Sequence, residues 1–282
     1  MSIQDQISPL RRVYVRAPVA ADLSAWKTYG WRSEPDPSRA GEEHAAFRAE
    51  LELAGATVEL GSAQVPDDPD AIYAYDPVLM TDAGAILLRP GKEGRRAEPA
   101  ASASDLTAGG IAIAGRMEAP ATAEGGDLFW LDRSTLLAGR GYRTNGEGIV
   151  QLRALLGAAV DVVEFDLPHF RGGDECLHLM SFVSPLDVDL VVAYLPMVPV
   201  RLLEMLGDRS IRVVEVPDDE FASMGPNVLA LGPRIALALA GNPETRRRME
   251  AAGVDVRTYV GDEISRKGDG GPTCLTRPLE RG

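Results

Sequence analysis

The sequence predicts an α/β fold of five repeated units closed into a ring, and three observations predict it. Strand-like and helix-like segments alternate along all 282 residues. Asp76, Glu124, His178, Asn227 and Cys274 each stand at a turn just ahead of an apolar run, at spacings of 48, 54, 49 and 47 residues. A period near 50 is the signature of repeated supersecondary units. No linker or low-complexity stretch interrupts the pattern, so one domain over residues 1–282 is expected. Each unit reads polar turn, strand, tight turn, strand, helix, strand. A closed ring of five such units places the five turns at one end, near a central axis.

The elements follow in order. Residues 12–18 alternate and are rich in β-branched side chains, a strand. Residues 38–54 read as a helix, with Ser38 as the expected cap and Gly55 as the stop. Thr57–Leu60 is the next strand, and Asp76-Pro77 is a turn signal ahead of apolar strands that include 84–88. Glu124-Gly125-Gly126-Asp127 precedes strands at 128–131 and 134–139, then a helix near 145–157. His178 opens the next pair of strands, through 183 and at 189–194, then a helix at 199–207. Asn227 opens strands at 227–231 and 234–239 and a helix at 243–253, and Cys274 begins the same kind of unit.

Composition narrows the function. Apolar residues make up 45% and charged residues 25%, as in ordinary soluble globular chains. The net charge of −13, with no basic tract, excludes nucleic acid and anionic membrane surfaces as partners. No charged-then-apolar leader opens the chain and no run reaches the ~18 residues of a membrane span. The two cysteines, Cys176 and Cys274, are too few for a disulfide framework, so a reducing cytoplasm is the expected compartment.

The chemistry centres on Cys274. It follows Asp269-Gly270-Gly271-Pro272-Thr273, a turn that displays a thiol among polar neighbours. A cysteine nucleophile needs a base or cation beside it. Of three histidines, His44 falls on the exposed face of the expected helix and His169 sits in a loop, Leu-Pro-His-Phe, as a surface or substrate contact. His178 stands at the mouth of a strand, at the same point of the repeat as Cys274. Glu124 is the candidate carboxylate to orient it. Asp76 completes a Cys, His, Glu and Asp set at equivalent points of the repeat. Cys176 and His178 look like a metal pair, but without a second ligand cluster no metal site is expected. Gly91–Arg96 lacks a phosphate-loop pattern.

This set, in this order, resembles the guanidine-modifying (pentein) superfamily of five-bladed α/β propellers. That superfamily includes the arginine deiminases, the amidinotransferases and the dimethylarginine dimethylaminohydrolases, and the last of these, in bacterial form, match best. The resemblance runs through Pro69–Pro77, Arg89–Glu98, Thr122–Asp127, Arg143–Gly148, Leu177–Leu179 and Asp269–Cys274. It implies a propeller of five ββαβ-type repeats around a pseudo-five-fold axis. It implies a nucleophile at Cys274, a general acid and base at His178 held by Glu124, and a guanidinium partner at Asp76. Arg95 and Arg143 match arginines that hold the substrate α-carboxylate, and Asp70 matches a position that helps hold the α-amino group. Trp26 falls in the lid region, Trp26–Arg32. No metal or organic cofactor is implied, the partner is a small guanidino substrate, and the assembly is a monomer or homodimer.

The chain also departs from the pattern. Met180 stands where the dimethylarginine enzymes carry Lys and arginine deiminases carry Asp, and Tyr75 stands where some relatives have Glu. A bacterial arginine dihydrolase branch shares the His-Leu-Met pattern but replaces the guanidinium-binding Asp by Asn, whereas this chain keeps Asp76. The expected reaction is therefore hydrolysis of an N-methylated arginine to citrulline and an alkylamine. The alternatives are an arginine deiminase or dihydrolase, an amidinotransferase, and a binding protein on the same fold such as the ribosome anti-association factor.

Overall fold

The computed structural model describes residues 3–173, 175 and 177–282. The chain opens with strand β1 (Leu10–Val15), the short helix α1 (Ala20–Leu23), helix α2 (Pro37–Leu53) and β2 (Thr57–Leu60). Four copies of one order follow. They are β3 (Val78–Thr81), β4 (Gly84–Leu87), α3 (Glu98–Ala108) and β5 (Ile113–Arg116), then β6 (Leu128–Asp132), β7 (Thr135–Arg140), α4 (Gly146–Leu156) and β8 (Asp161–Asp166). Next come β9 (Val183–Asp187), β10 (Leu190–Ala193), α5 (Val200–Asp208) and β11 (Arg212–Glu215). After the short α6 (Asp218–Phe221) come β12 (Val228–Gly232), β13 (Ile235–Leu239), α7 (Pro243–Ala251) and β14 (Asp255–Tyr259), and β15 (Arg277–Arg281) ends the chain.

The strands form five three-stranded sheets, the blades of a propeller. In each blade the first strand pairs antiparallel with the middle one, and the middle one pairs parallel with the third. A parallel pair needs a crossover, and α2, α3, α4, α5 and α7 supply one per blade. The unit beginning at Cys274 is completed from the other end of the chain: β15 is its first strand, β1 its middle and β2 its third. Arg281 fastens this seam, donating from Nη1 to the Ser8 carbonyl at 2.7 Å and from Nη2 to the Ala230 carbonyl at 2.9 Å.

First and middle strands are buried almost throughout, as β3 (all four residues) and β10 (all four) show, whereas the third strands β2, β5 and β11 are largely open to solvent. Strands covered on both faces read as continuous apolar runs, which is why the sequence displays them. Five larger apolar clusters fill the gaps between neighbouring blades; Leu79, Ile86, Leu128, Trp130 and Leu136, for example, join the β3–β4 blade to the β6–β7 blade.

Two expectations are corrected. The cap of α2 is Asp36, whose side chain accepts from the Ser38 and Arg39 backbone N–H groups, with Pro37 filling the first helical position that needs no donor. His44 is buried, at 2% exposure, because Ala40, His44, Phe47 and Leu51 recur at helical spacing and form the stripe that faces the core. With Nε2 unpartnered in that setting, burial pushes the imidazole down to about 4.

Candidate active site

Asp76, Glu124, His178, Asn227 and Cys274 each stand within five residues of the first residue of a first strand, so ring closure gathers them. Short hydrogen bonds link these turns around the axis. Tyr75 N donates to the Cys274 carbonyl at 3.1 Å and Gly125 N to the Asp76 carbonyl at 3.0 Å. Gly126 N donates to Asp76 Oδ1 at 2.8 Å, and Leu179 N to Asp127 Oδ1 at 3.0 Å. Ser184 Oγ donates to the Pro226 carbonyl at 2.7 Å, and Asn227 Nδ2 to Cys274 Sγ at 3.3 Å. The Glu-Gly-Gly-Asp turn is glycine-rich for a steric reason. A Cβ at Gly125 would strike the Tyr75 carbonyl, and one at Gly126 the His178 ring.

One pocket at this end is lined by Asp70, Asp76, Arg95, Arg143, His178, Asn227 and Cys274, among others. Glu124 lies behind it, with no exposed surface. Its Oε2 meets His178 Nε2 at 2.7 Å and Arg143 Nη1 at 3.1 Å, and its Oε1 accepts from the Lys92 backbone N–H at 3.1 Å. Burial alone pushes this carboxyl up. The hydrogen bond from His178 and the charge of Arg143 more than reverse that, and Glu124 stays ionised well below the usual carboxylate range. With Nε2 donating to Glu124, Nδ1 is the basic atom of the neutral imidazole.

Asp76 is 3% exposed and pairs through Oδ2 with Arg95 Nη1 at 2.6 Å. Arg95 is equally buried and spends its other donors inside the protein: Nε and Nη2 form a fork on Glu98 at 2.5 and 2.9 Å, and Nη2 also reaches the Tyr73 carbonyl at 3.2 Å. Asp70 sits beside it, with Oδ1 accepting from Trp31 Nε1 at 2.7 Å and Oδ2 from Lys92 Nζ at 2.5 Å. Asp70 and Asp76 stand against the cations Lys92 and Arg95, Glu124 stands against Arg143, and burial pushes the Glu98 carboxyl well above the usual carboxylate range. Asp68, buried against the same group, is pushed up to about 6 by burial and adds negative charge above that pH.

The donor atoms of Asp76, Glu124 and His178 lie within 4.8 Å of one another, a spacing a cation could bridge. Arg95 and Arg143 already stand against those two carboxylates, which leaves the set suited to hydrogen bonding rather than to a metal. The Cys176–His178 pair raised from the sequence lies partly outside the described residues. No described helix is long and apolar enough to cross a membrane.

Trp26 is not among the residues lining the pocket. It is half-buried, packs against the core, and carries the Lys27 ammonium over its ring at 5.1 Å. The lid reaches the pocket through other residues: Tyr29 and Arg32 line it, Trp31 bonds Asp70, and Arg32 Nη2 pairs with Asp269 at 2.6 Å. Both departures noted in the sequence turn away from the pocket. Met180 is packed in an inter-blade cluster; Tyr75 is in the same cluster, with its hydroxyl accepting from Gln6 at 2.6 Å and Arg277 over its ring at 3.5 Å. Asn227 and Lys92 join the site beyond the residues expected to act in it. Asn227 carried a signal, its place in the 50-residue series; Lys92 carried none.

Known proteins similar to this chain show its family. The arginine deiminase family model matches residues 198–281. The N(G),N(G)-dimethylarginine dimethylaminohydrolase of Streptomyces coelicolor is 30% identical over 273 residues, covering 95% of this chain and 96% of its own. The chain belongs to the dimethylarginine dimethylaminohydrolase family. The Pseudomonas aeruginosa member is 28% identical over 271 residues, covering 94% of this chain and 98% of that protein. A structure of that enzyme, a cysteine-to-serine mutant complexed with citrulline, superposes with a TM-score of 0.77 at 26% identity over 95% of this chain and 98% of the other. The N-terminal domain of ArgZ, a cyanobacterial arginine dihydrolase, shares the fold, with a TM-score of 0.82 at 20% identity over 98% of each chain.

Proposed function

We propose that this family member hydrolyses an N-methylated arginine, dimethylarginine, to citrulline and dimethylamine through a covalent intermediate on Cys274. The observation that carries the reading is the grouping of a thiol, a carboxylate-held imidazole and the buried Asp76 carboxylate around one pocket, where a planar guanidinium can be held between them.

In this reading Asp76 orients the guanidinium, the Cys274 thiol passes its proton to His178, and the resulting thiolate attacks the central carbon. The Asn227 amide stabilises the thiolate, since its Nδ2–H points at the sulfur. His178, held by Glu124, gives a proton to the departing dimethylamine nitrogen as the C–N bond breaks, leaving an S-alkylamidino group on Cys274. His178 then takes a proton from water, the hydroxide adds to the same carbon, and the C–S bond breaks to return the thiolate and release the ureido product. Arg143 is assigned to the substrate carboxylate at the other end. Arg95 is a weaker candidate for that role, because its fork is committed to Glu98. The reading takes residues 1–282 as one catalytic unit, supported by the pairing of β15 with β1.

The test is incubation with dimethylarginine and quantification of both products. Equal yields of citrulline and dimethylamine, lost in Cys274→Ser, support the proposal. Release of ammonia from arginine with dimethylarginine untouched would move the assignment to the deiminase alternative.

A further inference from the structure

We propose that Lys92 sets the amino-acid selectivity of the pocket by occupying, with its own ammonium, the place on Asp70 that a substrate α-amino group would take. This rests on the guanidino-substrate reading above. Asp70 is 5% exposed, and both its oxygens are engaged: Oδ1 by the Trp31 indole at 2.7 Å and Oδ2 by Lys92 Nζ at 2.5 Å. The Lys92 ammonium is held on two further sides, donating to the Tyr29 carbonyl at 2.6 Å and lying 4.9 Å from the Tyr29 ring centroid. It lines the same pocket as Cys274, and a substrate ammonium reaches Asp70 only by displacing it.

The charge pattern gives this a direction. Lys92 already neutralises Asp70, and the guanidinium is assigned to the Asp76 side of the pocket. An α-ammonium at Asp70 meets a carboxylate that is already paired, and exchanging one ammonium for another there yields little binding energy. The enzyme is therefore tolerant of substrates without an α-amino group: its substrate class extends to ω-guanidino carboxylates. The backbone N–H of Lys92, which serves Glu124, is unaffected by replacing the side chain.

The experiment compares kcat/KM for dimethylarginine with that for the same compound bearing hydrogen in place of the α-amino group, in wild type, Lys92→Met and Lys92→Arg. Wild type is expected to use the two within about tenfold of each other. In Lys92→Met the ratio is expected to move about tenfold or more in favour of dimethylarginine, because Asp70 is then open to the α-ammonium, and Lys92→Arg is expected to keep the wild-type ratio. A lid-pinning role alone would change both substrates together and leave the ratio fixed, which overturns the proposal. So does a wild-type enzyme that rejects the deaminated compound by about a hundredfold or more. If Lys92→Met fails to fold, the wild-type comparison decides. If neither compound is turned over, the hydrolase reading fails by itself, and the same ratio is read from the affinities of the two compounds for the Cys274→Ser protein.

Discussion

Replacing Glu124 by Gln removes a charge without opening a cavity, and the structure sets the size of the effect. The Glu124 carboxylate meets three donors and no acceptor: His178 Nε2 at 2.7 Å, Arg143 Nη1 at 3.1 Å and the Lys92 N–H at 3.1 Å. A Gln side chain carries its own NH₂, which must face at least one of them. That leaves a buried donor opposed by a donor, at about 1–3 kcal/mol of stability. The imidazolium loses its fixed counter-charge, and proton transfer by a positioned side chain is worth about 10²–10⁴ in rate, or about 3–5 kcal/mol of activation free energy. We expect kcat for citrulline release to fall within that range while the denaturant midpoint shifts by a smaller free energy. The folded-state pKa of Glu124 is depressed, so its contribution is present at neutral pH and shrinks only as pH falls below the unfolded value of 4.5. The stability deficit of Glu124→Gln should therefore be constant from about pH 6 to 8. The assay is initial-rate ureido-product formation alongside urea unfolding of the same samples. A folded Glu124→Gln enzyme within about tenfold of wild-type kcat refutes the assignment of Glu124 as the group that holds His178.

Other substitutions probe neighbouring parts of the account. Asn227→Ala removes the amide that donates to Cys274 Sγ; the pH midpoint for alkylation of Cys274 by iodoacetamide should rise and the rate at neutral pH should fall by about tenfold. Gly126→Ala drives a Cβ into the His178 ring and should cost activity even where circular dichroism and melting show the fold retained. Burial lowers the His44 pKa from 6.5 to about 4, so wild type loses stability as pH falls between those values. His44→Leu should abolish up to about 3 kcal/mol of that loss, read as a flatter melting-temperature profile in acid. Asp68 has the opposite sign: its pKa is raised from 3.8 to about 6, so the folded state holds the proton longer and stability declines as pH rises through that window. Asp68→Asn should stabilise by up to about 3 kcal/mol at pH 8 and not at pH 4.

Much of the fold was legible because the first and middle strands are covered on both faces. Such strands must be continuously apolar, and each follows a polar turn residue, so the 50-residue rhythm is a direct imprint of the ring. The third strands are the counterexample. β5 and β11 lie largely open to solvent and end in charged residues, so no continuous apolar run marks them. His44 was misplaced because Glu42, Glu43 and Arg48 make α2 look polar on every side, and only four residues form its buried stripe. Within the site, Cys274, His178, Glu124 and Asp76 could be read because the repeat puts them in register. The Lys92–Asp70 contact could not: it joins two loops 22 residues apart through a geometry that only the folded lid creates. Trp26 and Trp31 are both aromatics of the lid region in the sequence, and only the fold shows that Trp31 makes the contact with Asp70.

The central claim is that Cys274 carries the reacting carbon. The direct measurement is mass spectrometry of wild-type enzyme acid-quenched during turnover of dimethylarginine, with the Cys274 peptide sequenced. The account predicts an adduct on Cys274 equal to the substrate less dimethylamine, absent in Cys274→Ser. An unmodified Cys274 peptide from a reaction that still yields citrulline would contradict it.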